Sequence, residues 1–302
     1  MTTHLEQYLT QYCGSEVVYF PNPGNAGDSV IATATYQIFD KIGLSYETPK
    51  FGGCDLHDRI VIYGGGGNLV GQSTYSARVA KDACKLAKRL VILPHTIKSV
   101  TPIIEDFGRN VDVICREPVS YNYVKKISSL ANVYLMDDVA FSLDVRNVLE
   151  DEIILSRLER FVSYAINKTF THIATPSFDN VIRSILVDRN FKKLQFSFGT
   201  GEVYCFRTDP EKTSLEIPEE NIDISAFFQF GVETKDVAYL SARAVLSFLA
   251  NFKTVHTNRL HIAISAALLG LEVKFYANNY YKCRAVYNFS MEGRFPNVHW
   301  MG

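Results

Sequence analysis

Residues 254–261 combine side chains that could bind an anion and move a proton. Arg259 offers a planar guanidinium that suits a carboxylate or a phosphate, and His261 offers an imidazole that exchanges a proton near neutral pH. A β-branched pair precedes them and an apolar, alanine-rich stretch follows, so they stand where the end of a strand meets ligands in an α/β sheet. The alternative is a surface arginine beside a histidine satisfied inside the core.

Similar polar motifs follow other β-rich runs, and five such runs lie in the first half of the chain. Their motifs are Asn25 to Asp28, Gly64 to Gly67 with Asn68, Pro94-His95-Thr96, Arg116-Glu117 and Asp137-Asp138. A helical stretch comes after each motif. This alternation predicts a doubly wound parallel sheet whose polar loops gather at one edge.

Two of these motifs are glycine-rich turns that could bind an anion. Backbone N–H groups and the dipole of the following helix point the same way at such a turn. The first turn contains Gly24, Gly27 and an N-cap candidate in Asp28 or Ser29, and the second includes Gly65, Gly66 and Gly67. Neither has the GxGxxG or Walker A spacing. Four consecutive glycines indicate close approach by a ligand or a packed helix, and we favour the ligand.

The second half of the chain repeats the pattern of strand, polar motif and helix. Its predicted elements are a strand at 202–206 ending in Arg207, a polar loop at 211–224, a helix at about 235–250, and strands at 254–257 and 272–276. The sequence therefore predicts two α/β lobes with mainly parallel sheets. The first spans 1–195 and includes a helical connector at 145–195, and the second spans 196–302 and carries Arg259 and His261.

Bulk composition limits the classes of function. A formal net charge of −1 disfavours a generally basic nucleic-acid-binding surface, so any anionic ligand must be held by a few placed cations. Six scattered cysteines without a CxxC pair predict neither a metal site nor a disulfide framework. We find no signal peptide and no membrane-span candidate. We therefore expect a cytoplasmic protein without nucleic-acid partners, and peripheral membrane association stays open.

Several other chemistries lack a pattern in this sequence. There is no GxSxG motif and no Cys/His nucleophile signature. Asp137 and Asp138 are adjacent and so point apart, unlike the paired carboxylates of a glycosidase. Asp55, His57 and Asp58 could form a metal cluster, but we favour a solvated turn. Tyr280 and Tyr281 could stack on a sugar ring or serve as ordinary core or rim aromatics.

The chain resembles the polysaccharide pyruvyl transferases in its motifs and in their order along the sequence. The matching motifs run from residue 15 to about 290 and include Gly24 to Asp28, Gly65 to Leu69, Leu93 to Ile97, Ile114 to Glu117 with Ser120, Asp137 to Phe141, Phe206 to Asp209, Thr257 to His261 and Asn279 to Lys282. The resemblance implies two Rossmann-like lobes similar to those of GT-B glycosyltransferases. One departure is His95, where the family often has glutamine. Residues 145–195 match nothing that we can place.

The resemblance also implies an activity and its residues. Family members transfer the enolpyruvyl carbon of phosphoenolpyruvate to two hydroxyls of one sugar, which forms a cyclic ketal and releases phosphate. By this resemblance Arg116, Arg259, His261 and the backbone around Leu260 would hold phosphoenolpyruvate. The remaining predicted binding residues are Asn25, Gly65, Gly66, Gly67, Asn68 and Arg207. The partners are then phosphoenolpyruvate and a saccharide acceptor, lipid-linked or free, with no separate cofactor.

The chemistry of this transfer assigns roles. Phosphoenolpyruvate carries about three negative charges, so arginine forks are needed to bind its ends. C3 must be protonated, for which His261 is the candidate general acid, and His95 or Asp28 would take the proton of the attacking hydroxyl. A rival prediction is a GT-B-type glycosyltransferase that uses a nucleotide-sugar donor. A third is an anion-binding relative without catalysis.

Overall fold

The computed structural model describes residues 4–49, 54–150, 201–209, 211–212 and 215–302. The chain divides into two compact units, one made of Met1–Asn22 and Ala34–Leu143 and the other of Pro23–Thr33 and Asp144–Gly302. The first unit thus ends at Leu143, and a short early segment joins the second unit. The predicted boundary at 195 and the predicted connector beyond residue 150 lie outside the described residues.

The first unit contains a seven-stranded sheet in which every pairing is parallel. Its strands are β1 (Val17–Phe20), β2 (Tyr46–Glu47), β3 (Ile60–Tyr63), β4 (Gly66–Val70), β5 (Arg89–Lys98), β6 (Val111–Cys115) and β7 (Asn132–Leu135). The spatial order is β2, β1, β3, β5, β6, β7, and β4 pairs with β5 beyond the end of β3. Non-consecutive neighbours are what helical crossovers between parallel strands produce.

Helices supply the connections of this unit. They are α1 (His4–Leu9), α2 (Ala26–Ile42), α3 (Tyr75–Leu86), α4 (Thr101–Glu105) and α5 (Pro118–Ile127), of which α2 begins in the second unit. The apolar residues of the strands and of α3 to α5 form one buried cluster that includes Val61, Ile92 and Val113. A sheet buried on both faces reads as continuous apolar runs, and this explains why β3, β5 and β6 were recognisable.

The glycine run and the Pro94 motif differ from their prediction. A strand that was not predicted, β4, begins at Gly66 and lies between the glycine run and α3, the helix expected after it. The β-rich run that was predicted to end before Pro94 continues to Lys98, so His95 and Thr96 are strand residues rather than loop residues. A register shift between Ile92 and His95 accommodates Pro94, which has no N–H to donate.

The second unit contains a four-stranded parallel sheet. Its strands are β8 (Glu202–Tyr204), β9 (Thr254–Thr257), β10 (Glu272–Phe275) and β11 (Val298–Trp300), in the spatial order β11, β10, β9, β8. The described helices are α6 (Val145–Glu150), α7 (Ile224–Phe227), α8 (Lys235–Leu249), α9 (Leu260–Leu268) and α10 (Lys282–Val286). Val203, Val255 and Val273 are buried at matching register on the three strands.

The predicted α/β class with mainly parallel sheets is confirmed. Each β-rich run identified in the sequence forms a strand, and the short strands β2, β4 and β11 were not predicted. Among the described residues, no helix combines the length and apolarity that a membrane crossing requires.

Candidate functional site

Several predicted site residues lie in the second unit at the starts of two helices. Asn25 is the residue before α2, and its side-chain oxygen accepts a hydrogen bond from the N–H of Gly27 at 2.8 Å. Asp28 returns the contact, because its carboxylate accepts from the N–H of Asn25 at 2.9 Å. This reciprocal arrangement is a capping box. The N-cap is therefore Asn25, and the prediction of Asp28 or Ser29 for that position is wrong.

The turn before α2 has space only for glycine at position 24. A Cβ atom there would collide with the carboxylate of Asp28. The first turn of α2 is also attached to a loop of its own unit, since Ser29 Oγ donates to the carbonyl of Gly231 at 2.9 Å. These contacts explain why Pro23–Thr33 belongs with the second unit.

The start of α2 lies against the start of α9 at Gly27 and His261. A Cβ atom built on Gly27 would stand 2.7 Å from Nδ1 of His261 and 3.0 Å from its Cβ. Both residues occupy the second position of their helices, which have 17 and 9 residues. Each helix start carries a partial positive charge and first-turn N–H groups. Two such ends in contact make a local environment that favours an anion.

Arg259 stands at the N-cap of α9 and makes no side-chain cap for that helix. Its backbone N–H donates to Thr257 Oγ1 at 3.0 Å, which fixes the turn between β9 and α9. The guanidinium instead binds carboxylates. Asp223 accepts from both Nε, at 2.5 Å, and Nη2, and Asp209 accepts from Nη2 at 3.1 Å.

Arg207 and Lys282 extend this charged cluster. Arg207 donates from Nε and Nη2 to the two oxygens of Asp209 at 2.8 and 2.9 Å, and from Nη1 to Glu211. Lys282 donates to the same Glu211 oxygen at 2.9 Å. Asp209, Glu211 and Asp223 thus balance Arg207, Arg259 and Lys282. We call these six side chains the charged cluster.

The cations of this cluster hold the carboxyls of Asp209 and Glu211 in ionised form. Burial alone would raise the pKa of Asp209, but the hydrogen bond from Arg207 and the charge of Arg259 lower it to about 2. Burial would likewise raise the pKa of Glu211, and the charges of Lys282 and Arg207 bring it below its usual value. Both carboxyls are therefore anionic at neutral pH and form ion pairs with the cations around them.

The other predicted site residues lie in the first unit, around the carboxyl half of β5. Arg116 is fully buried and donates to Thr96 Oγ1 at 2.9 Å and to Asp138 at 2.6 Å. The next residue, Glu117, caps α5 and accepts from the N–H and the hydroxyl of Ser120. Arg116 thereby joins the end of β6 to β5 and to the segment that follows β7.

His95 is also fully buried in β5, where its Nε2 accepts a hydrogen bond from the N–H of Leu69 at 3.2 Å. Burial, and after it the charge of Arg116, lowers the pKa of His95 to about 3. The imidazole is therefore neutral at physiological pH. Its described contacts make it a support for β4 rather than an exposed proton acceptor.

The glycine run supports a close approach of backbone to backbone. A Cβ atom on Gly64 would stand 2.7 Å from the backbone nitrogen of Asn22 and 3.2 Å from the carbonyl oxygen of Phe20. Gly66 has a φ of 152°, which L-residues rarely adopt, and pairs with His95. Asn68 accepts from Ser76 Oγ at 2.6 Å at the start of α3. The approach at Gly64 is thus to the backbone at the end of β1 and just beyond it, and ligand binding by Gly65, Gly66 and Gly67 stays a prediction.

The structure brings the predicted residues together as two groups, one in each unit. Asn25, Asp28, Arg207, Arg259, Leu260 and His261 belong to the second, whereas Gly65, Gly66, Gly67, Asn68, His95 and Arg116 belong to the first. No role was predicted for Asp209, Glu211, Asp223 or Lys282. Two of these four fall in the stretch 211–224 that reads only as a polar loop, and ion pairs between distant segments leave no spacing signal.

Comparison with known proteins identifies relatives of the whole chain. Residues 25–280 match the polysaccharide pyruvyl transferase family, and this range includes every predicted site residue. The crystal structure of a functionally uncharacterised protein from Klebsiella pneumoniae subsp. pneumoniae NTUH-K2044 is similar, with a TM-score of 0.72 and 30% sequence identity. The match covers 99% of this chain and 97% of that one. No curated protein matches the chain significantly.

Proposed function

The chain belongs to the polysaccharide pyruvyl transferase family, and we propose that it transfers the pyruvyl group of phosphoenolpyruvate to two hydroxyls of one sugar. The product is a cyclic ketal, and inorganic phosphate is released. The acceptor is a saccharide unit of a polysaccharide or of its precursor.

The contact between Gly27 and His261 is the observation that supports this proposal most. It joins the starts of α2 and α9, so that two helix dipoles and an ionisable imidazole share one place. Arg259 is the residue immediately before α9. Phosphoenolpyruvate carries a phosphate and a carboxylate on the same carbon, and this combination of N–H groups and guanidinium suits such a dense anion.

We assign the donor's anionic groups to the second unit. The first-turn N–H groups of α9, including that of Leu260, bind one anionic end beside the start of α2, and the fork of Arg259 binds the other. Arg207 belongs to the same charged cluster as Arg259, because both guanidinium groups donate to Asp209. This use of fixed backbone dipoles stabilises the charge that collects on the departing phosphate without reorganising solvent.

The reaction needs one proton delivered and two removed. His261 donates a proton to C3 of phosphoenolpyruvate, and C2 becomes electrophilic. One sugar hydroxyl attacks C2 and loses its proton, and the bond between C2 and the phosphate oxygen breaks. The second hydroxyl then closes the ketal, and its proton leaves with the phosphate or returns to His261. Atoms balance as donor plus acceptor giving ketal plus phosphate.

The described contacts favour Asp28 over His95 as the acceptor of the hydroxyl proton. Asp28 lies in the first turn of α2, next to Gly27, and its side chain is partly exposed. His95 is buried, neutral and bonded to Leu69. For Arg116, full burial and its ion pair with Asp138 support a positioning role at the ends of β5 and β6.

Donor binding and turnover test the proposal in sequence. Calorimetric titration with phosphoenolpyruvate should give a saturable signal, whereas UDP-hexoses should give none. Phosphate release from phosphoenolpyruvate should then depend on one member of a panel of galactose-, glucose- and mannosamine-type acceptors, each offered free and lipid-linked. Binding of a UDP-hexose without binding of phosphoenolpyruvate would overturn the proposal in favour of glycosyl transfer.

A further inference from the structure

The charged cluster has its cations beneath its carboxylates. The side chains of Arg259, Arg207 and Lys282 are 6%, 10% and 11% exposed, whereas those of Asp209 and Glu211 are 34% and 31% exposed. Ordinary surface ion pairs show the opposite order, because long basic side chains extend their charged ends into water. Here the cations form a buried floor, and two shorter acidic side chains lie towards solvent.

Asp223 differs from the other two carboxylates. It is 8% exposed, binds Arg259 through both oxygens and also accepts from the N–H of Thr208 at 3.2 Å. It is the N-cap of α7 as well. These contacts make Asp223 a fixed part of the fold that orients the guanidinium.

Asp209 and Glu211 instead occupy donors that an anionic ligand needs. One oxygen of Asp209 bridges Nη2 of Arg207, at 2.9 Å, and Nη2 of Arg259, at 3.1 Å. One oxygen of Glu211 bridges Arg207 and Lys282. Because a donor N–H directed at a carboxylate is not available to a phosphate, these side chains and a bound anion exclude one another.

We propose that Asp209 and Glu211 are internal competitors of the donor's anionic groups. In the ligand-free state they neutralise the buried cations and hold them in place. When the donor binds, its phosphate or carboxylate replaces the side chain of Asp209 or Glu211 on the cations. Lys282 then becomes part of the donor site, beside Arg207 and Arg259. Both carboxylates are positioning residues that set donor affinity, and the inference rests on the proposed function only for the identity of the anion.

Charge balance explains why this competition matters. With all three carboxylates in place the cluster has three positive and three negative charges and attracts an anion weakly. Displacing one carboxylate into solvent leaves an uncompensated cation next to the ligand. A site with fixed cations and no competitor would hold phosphate, the released product, more tightly. The competitors thus favour product release.

The test compares variants that each remove one negative charge. Asp209→Asn and Glu211→Gln lose a competitor, whereas Glu220→Gln removes the charge of an exposed residue outside the cluster. Phosphoenolpyruvate and inorganic phosphate are each titrated into the full-length protein by calorimetry at fixed pH and ionic strength. Circular dichroism and thermal melting verify that each variant folds, and Glu211→Gln provides the measurement if Asp209→Asn does not fold.

We expect either cluster variant to bind both anions about tenfold more tightly than the wild type, with Glu220→Gln unchanged. Loss of a merely structural partner could only weaken binding. Unchanged or weaker binding by the folded cluster variants would overturn the inference, even where the wild type binds phosphoenolpyruvate as the proposed function requires. Tighter phosphate binding without any response to phosphoenolpyruvate would support the inference and overturn the proposed function.

Discussion

Gly27 lies against His261 so closely that a Cβ atom on Gly27 would stand 2.7 Å from the imidazole Nδ1. This contact connects the first turn of one helix to the first turn of another, although 234 positions separate the two residues in the sequence. The absence of a side chain at position 27 therefore decides where the imidazole can lie. Function and helix stability make opposite demands on this position.

Gly27→Ala separates these two demands. Alanine is the better helix former, so we expect the free energy of unfolding to stay equal or to rise by about 0.5 kcal/mol. The added methyl displaces His261, and a misplacement of about 1 Å costs about a hundredfold in turnover. Urea unfolding and acceptor-dependent phosphate release measure the two effects.

A double-mutant cycle provides the control for Gly27→Ala. Once His261→Ala has removed the imidazole, the methyl meets only the Cβ atom at position 261, at 3.0 Å, and the side-chain oxygen of Asn25, at 2.9 Å. The second change should then cost little further activity. Additive losses in the double variant would mean that Gly27 acts independently of His261.

Arg259→Ala should weaken phosphoenolpyruvate binding and slow turnover, because a charge-assisted fork disappears from the donor site. We expect kcat/KM to fall about a hundredfold to a thousandfold. Arg259→Lys should recover little, since an ammonium cannot bind bidentately. The matched control is Arg294→Ala, which removes an exposed guanidinium of the same unit. Near-normal donor affinity in Arg259→Ala would contradict the assignment.

Because His95 is buried in its neutral form, we predict a specific loss of stability in acid. Burial lowers the pKa of His95 in the folded protein to about 3, from the value of 6.5 that applies to the unfolded chain. The unfolded state therefore binds the proton first as the pH falls. The contribution of the neutral imidazole is complete above about pH 6.5 and is lost as the pH falls from there towards 3.

His95→Gln should remove this part of the pH dependence, because glutamine can still accept from Leu69 but does not titrate. Between pH 7 and pH 5 the wild type should lose about 2 kcal/mol more free energy of unfolding than the variant. Urea unfolding at both pH values measures the difference. His299→Gln, which changes a more exposed histidine paired with Glu272, should behave as the wild type does. Identical pH profiles for His95→Gln and the wild type would show that His95 is not buried in neutral form.

The strands, and the order of the motifs that follow them, could be predicted from the sequence because buried parallel strands are continuous apolar runs. Prediction failed where backbone geometry, not hydrophobicity, decides the element. Pro94 suggested the end of a strand, but a register shift lets β5 continue to Lys98. The close approach at Gly64 is to the backbone at Phe20 and Asn22. Neither outcome leaves a trace in residue types alone.

A second cluster of charge lies away from the candidate site and should affect stability only. Asp112 near the start of β6 is fully buried and accepts from Arg89 at 2.8 and 2.9 Å, from Tyr8 at 2.5 Å and from Asn132 at 2.8 Å. Asp112→Asn leaves these donors without their anion and should lower the free energy of unfolding by about 3 kcal/mol. Donor affinity of the folded variant should be unchanged, and calorimetry checks this. Weaker donor binding by the folded Asp112→Asn variant would contradict the separation of this cluster from the site.

Residue types identified the candidate cations, but their partners could not be predicted. Arg207 and Arg259 were recognisable as guanidinium groups at strand ends. Asp209 and Asp223 meet them only because β8, β9 and the segment before α7 converge, which is a tertiary property. For the same reason the burial of Arg116 beside Asp138 was not predictable from the motif that contains it.

The central claim is a chemical conversion, and following both of its products tests it most directly. The protein is incubated with phosphoenolpyruvate and each acceptor, while released phosphate and the saccharide are quantified together by NMR and mass spectrometry. We predict that phosphate and a saccharide carrying a pyruvate ketal form in equal amounts, and that His261→Ala and Arg259→Ala abolish both. Phosphate release with an unchanged saccharide, or a sugar transferred from a UDP-hexose, would contradict the account.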